Sequence, residues 1–77
     1  MTLDDAVTEL TRHGMSPDGA LDVAIDAMEH GDFVAVESAA PSPVALVVRD
    51  ESDTMWTRWY NPGPHGWRCT FAKRGRR

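Results

Sequence analysis

The chain has one cysteine, one lysine, no internal repeat and no apolar run approaching the ~18 residues that a membrane span requires. A lone Cys69 cannot close an intramolecular disulfide, which excludes the stapled scaffolds that small secreted domains lean on and favours a reducing compartment. No basic stretch followed by an apolar leader core is present, so a cytoplasmic protein without membrane contact is expected. Also missing are a phosphate-cradling P-loop, an H-E-x-x-H metal helix and a G-x-S-x-G nucleophile elbow. His13, His30, His65 and Cys69 show no zinc-site spacing, so neither metal nor cofactor is expected.

What remains is globular in kind. The 77 residues are 42% hydrophobic and 26% charged, enough to fold as one domain and too few to enclose a second core. The expected layout is a single domain over residues 1–73 with a flexible basic tail over 74–77.

Charge is divided along the chain. Residues 1–40 carry nine acids and one base, a net of −8, whereas residues 41–77 carry three acids and seven bases, a net of +4. Such a split points to two faces with different partners, or to self-association as a homodimer.

Thr2, three residues before Asp5, forms an acidic capping box, and Leu3, Val7 and Leu10 share a helical face. A helix over 3–12 follows, closed by Gly14. Ser16 caps a second helix with Pro17 in its first turn; Leu21, Ala24, Ile25 and Met28 recur at helical spacing up to Gly31, so it spans 17–30 and buries that face. The short Gly14–Ser16 connection makes the two helices antiparallel neighbours.

From Phe33 the period falls to two. Strands are expected over 33–37, 44–49, 55–60 and 67–73, separated by the turn-rich stretches 38–43, 50–53 and 61–66. Connections this short suit hairpins and exclude parallel crossovers. The expected fold is α+β, with two N-terminal antiparallel helices packed on one face of a three- to four-stranded antiparallel meander sheet, in the order ααββββ.

Alternation then assigns side chains to faces. Val44, Leu46 and Val48 point inward, as do Trp67, Cys69 and Phe71. Arg58 is a poor core residue, which directs Met55, Thr57 and Trp59 inward and gathers Arg49, Trp56, Arg58, Tyr60 and Arg68 on the outer face.

That aromatic and arginine face is the leading candidate for partner binding, because Trp, Tyr and Arg dominate protein-interface hot spots. The same residues could stack on unpaired bases and hold phosphates, so a single-stranded nucleic acid is the second candidate partner. They could also cover one another, Arg stems lying on rings. A secondary acidic surface is the helical stripe Asp18, Asp22 and Asp26, whose like charges make the second helix a poor reader of DNA and a possible dock for a basic partner. The one enzymatic alternative is metal-independent RNA cleavage, with His65 or Tyr60 as acid or base and Arg58 and Arg68 on the phosphate. The sequence therefore points to a small non-catalytic interaction or regulatory protein, such as an inhibitor of cellular or viral origin, acting through its sheet face on a protein partner.

Overall fold

The structure, a computed structural model, describes residues 1–38 and 43–75. Helices α1 (Leu3–Arg12) and α2 (Pro17–His30) precede strands β1 (Asp32–Ser38), β2 (Val44–Arg49), β3 (Met55–Gly63) and β4 (Gly66–Arg74). All neighbouring strands are antiparallel, in the spatial order β1-β2-β3-β4. This is the expected ααββββ layout. No helix among the described residues is long and apolar enough to cross a membrane.

The helix ends are built by local hydrogen bonds. Asp5 N–H donates to Thr2 Oγ1 at 3.1 Å while Thr2 N–H donates to Asp5 Oδ2 at 3.3 Å, completing the capping box. At the other end of α1, Met15 N–H donates to Leu10 O and Gly14 N–H to Thr11 O, the paired bonds of a Schellman motif. The motif needs a left-handed residue, and Gly14 supplies it at φ 106°. Met15, only 5% exposed, then enters the core. Ser16 Oγ accepts from Gly19 N–H and starts α2.

The core lies between the helices and one sheet face. Ala6, Leu10 and Met15 meet Ala20, Val23, Ala24 and Ala27 above Phe33, Val44, Leu46, Val48 and Tyr60. Helix α2 is turned differently from the expected orientation: Leu21 and Ile25 are 42% and 44% exposed, while the alanines and Val23 are buried. Small side chains let α2 approach the sheet closely. A methyl group on Gly19 would stand 2.6 Å from Trp67 Nε1, so any side chain there would displace the indole where α2 meets β4.

The last hairpin is longer and tighter than the turn-rich stretch 61–66 implies. β3 and β4 stay paired out to Gly63 and Gly66, leaving Pro64 and His65 as the loop. Pro62 is tolerated because β2 pairs with β3 only as far as Tyr60, and Pro62 therefore borders β4 alone. β4 continues to Arg74, and Gly75 N–H still bonds Met55 O, beyond the point where the tail was expected to begin. Of the expected 38–43 turn and the basic tail, residues 39–42 and 76–77 lie outside the described residues.

Leu46 is fully buried at the centre of the sheet, so loss of its side chain leaves a cavity that the surroundings fill only in part. Leu46→Ala is expected to cost about 2–5 kcal/mol, read as a lower urea midpoint at unchanged slope. Gly14→Ala, which forces a Cβ into the left-handed region, should cost about 1 kcal/mol in the same titration.

Candidate functional site

Strand pairing decides which side chains each sheet face carries. Tyr60, Arg58 and Trp56 lie opposite Val44, Leu46 and Val48, the inward residues of β2. All three therefore face the helices, and the expected outer cluster divides: Arg49 and Arg68 project from the open face, whereas Trp56, Arg58 and Tyr60 do not. Tyr60 is wholly buried.

Arg58 is admitted to this face because α2 brings a counter-charge to it. Tyr60 Oη donates to Asp26 Oδ2 at 2.7 Å, Arg58 Nη2 donates to the same oxygen at 3.1 Å, and Arg58 Nε donates to Tyr60 Oη at 2.9 Å. The Arg58 side chain retains 13% of its exposure and that of Asp26 38%. Burial raises the Asp26 pKa, but the Tyr60 and Arg58 hydrogen bonds and the charges of Arg58 and His30 outweigh it, leaving the carboxyl below its ordinary value of 3.8. Burial, reinforced by the Asp26 carboxylate, pushes the Tyr60 phenol well above its ordinary 10.0. Burial lowers the Arg58 pKa, and the bond to Tyr60 with the other favourable contacts more than restores it.

The acidic stripe is thus mostly an internal device. Asp26 anchors β3, and Asp22 Oδ2 accepts from Trp67 N–H at 3.3 Å at the start of β4. Asp18 alone of the three is exposed without such a bond among the described residues.

Beside the triad, His30, Val48, Asp50, Trp56, Arg58 and Ala72 line a half-open pocket of about 260 Å³ under the end of α2. Its polar groups are largely engaged. Trp56 Nε1 donates to Asp50 Oδ2 at 2.8 Å, and Asp50 Oδ1 accepts from Ser52 N–H and Thr54 N–H at 2.9 Å each. These bonds, that from Thr54 foremost, hold the Asp50 pKa below 3.8. Arg74 lies 5.9 Å from the Trp56 ring centre. This is an aromatic and arginine cluster turned inward.

The open face carries different residues. Trp59 stands opposite Phe71, with ring centres 5.2 Å apart and planes inclined by 39°. Phe71, expected in the core, is 58% exposed. A β-bulge causes this: Tyr60 pairs with Cys69 but Trp59 pairs with Phe71, so Thr70 is an extra residue that inverts the parity of β4 beyond it. Trp67 and Cys69, before the bulge, do pack against the core, and Ala72 after it faces Arg58. Cys69 is half-buried, its thiol 3.3 Å from Phe71 O.

Around the ring pair lie Val47, Thr57 and Met55, with Ala45 buried opposite Trp59. Arg68 and Lys73 flank the rings along β4 and have no ion pair among the described residues, whereas Arg49 pairs with Asp53 at 3.2 Å. Trp59, Phe71 and Lys73 are the residues that sequence reasoning missed, and the bulge that exposes Phe71 has no mark in the local sequence. Of the residues named for RNA cleavage, His65 and Arg68 line one pocket at the last hairpin with Pro64, Gly66 and Trp67, whereas Arg58 and Tyr60 bond to each other on the face beneath α2. The chain matches no protein-family model, no curated protein and no solved structure.

Asp26 ionises more readily in the folded chain than in the unfolded one, so its contribution to stability is present above the ordinary carboxylate range and lost as pH falls through its lowered folded value. Asp26→Asn should cost about 1–3 kcal/mol at neutral pH and flatten the loss of stability below pH ~4. Asp50, lowered in the same direction, keeps part of that acid limb. At the other extreme, the single tyrosine should stay protonated through pH ~10 while the protein is folded, and stability should fall as pH rises past that value, because the unfolded phenol ionises first. An ultraviolet titration of the native protein would show ordinary phenolate absorbance near pH ~10 if Tyr60 were not held this way.

Proposed function

We propose that the chain is a small interaction protein whose working surface is the open sheet face, and that its partner is a protein. The observation that carries this reading is the Trp59–Phe71 pair: two large rings side by side on a face that neither helix covers, Phe71 being 58% exposed. An apolar centre of Trp59, Phe71, Val47 and Met55 with charges at its rim has the anatomy of a protein interface. Because the rings pack on each other, they form one hot spot and not a row of separate platforms for successive bases. The chain's net charge of −4 also opposes a polyanion. Arg68 and Lys73 beside the rings are what favours a single-stranded nucleic acid as the second reading.

A capture from the native host with and without nuclease, followed by titration of the captured partner at several salt concentrations, separates the two. A protein partner survives nuclease, binds with a shallow salt slope and loses about 2 kcal/mol or more with Trp59→Ala. A nucleic acid is removed by nuclease and binds with an affinity that falls steeply with salt. A Trp59→Ala, Phe71→Ala double variant that folds and binds as the parent does rules out the open face as the working surface.

A further inference from the structure

The edge of the sheet next to the ring pair is also open, and its chemistry is distinctive. β4 is the last strand in the spatial order, and the bond from Gly75 N–H to Met55 O sets the phase of its ladder. In an antiparallel pair that bond makes Trp56–Arg74 a non-hydrogen-bonded pair, Thr57–Lys73 a bonded pair and Arg58–Ala72 again non-bonded. The N–H and C=O groups of Ala72 and Arg74 therefore point away from β3. No turn, loop or cap hydrogen bond among the described residues reaches them. Nearer the hairpin, Asp22 takes the Trp67 N–H and closes that end of the edge.

Two copies of this edge would not pair with each other. Antiparallel β4–β4 pairing would lay side by side two copies of a strand that carries Arg68, Lys73 and Arg74 and no acid, and like charges brought close are destabilising. The other free edge, β1, is broken by irregularities between Phe33 and Ala35 and between Val36 and Ser38, which interrupt its ladder. What fits β4 is a foreign strand of opposite charge.

We infer that β4 receives an extended acidic segment of the partner protein as a fifth strand. Its backbone pairs with Ala72 and Arg74, and the carboxylates on its open-face side meet Arg68 and Lys73, which lie on either side of Phe71. Main-chain pairing supplies the affinity and the alternating side chains the selectivity. This rests on the open-face reading and adds the chemistry of the partner to it.

The probe is a capped twelve-residue peptide alternating glutamate and valine, with the lysine–valine counterpart as control, each added to the full chain and read by amide hydrogen exchange. With the glutamate peptide at saturation, exchange at Ala72 and Arg74 should slow by about tenfold or more; with the lysine peptide the change should stay under about twofold. Lys73→Glu should weaken binding of the glutamate peptide by about fivefold or more. Ala72→Pro removes only an outward N–H, so it should abolish protection at Arg74 while the β3–β4 ladder persists. Unchanged exchange at Ala72 and Arg74, or equal slowing by both peptides, overturns the inference. If the captured partner is lost with Trp59→Ala but leaves the Ala72 and Arg74 amides exchanging freely, the strand addition is wrong and the open-face reading stands. If neither the rings nor the edge responds to that partner, both are wrong.

Discussion

A carboxylate on the second helix that accepts from both a tyrosine hydroxyl and an arginine sets the arrangement of the whole sheet. Without Asp26, Arg58 would be a nearly buried cation under α2 with nothing to neutralise it, and β3 would be better placed with its opposite side inward. With Asp26, the Arg58–Tyr60 side of β3 joins the core, α2 is held at one rotation, and Leu21 and Ile25 are left facing outward although they are larger than the alanines beneath. An ion pair of this kind adds less to stability than its geometry implies, since two desolvated groups offset much of their attraction. Its weight here lies in orientation: it selects which of two nearly equivalent faces of β3 is inside.

That selection has a consequence on the far side of the sheet. Once Trp56, Arg58 and Tyr60 are inside, Trp59 must be outside, and the extra residue at Thr70 brings Phe71 out to meet it. An aromatic platform is thus created by a polar contact on the opposite face. The charge division along the chain acquires a spatial meaning as well. The acids of α2 that approach the sheet are used to bind β3 and β4, whereas Arg68 and Lys73 on β4 are left without acidic partners among the described residues.

Much of the local structure was legible because it is encoded locally. Thr2 with Asp5, Gly14 and Ser16 mark the helix ends through hydrogen bonds that span three to five residues, Pro17 marks the start of α2 through its fixed φ, and both helices have the bounds those signals indicate. The strands were legible from their two-residue period, less so at the last hairpin, where Pro62 and glycine read as loop yet stay in the ladder. The open face was legible only as an inventory. Arginine, tryptophan and tyrosine in β3 were visible, but the rule that arginine avoids the core assigned them to the wrong side, because its partner Asp26 lies 32 residues away.

Taken alone, the sequence determined the order and type of the elements, their caps and the antiparallel meander, since propensity, capping and short connections act over a few residues. It could not determine the parity of β3 and β4. A strand presents two faces of opposite sign, and a single inserted residue or a single distant counter-charge exchanges them. Only the packing of α2 over the sheet, with Asp26 reaching Tyr60 and Arg58 and a bulge at Thr70, decided that Trp59 and Phe71, and not Trp56 and Tyr60, face outward.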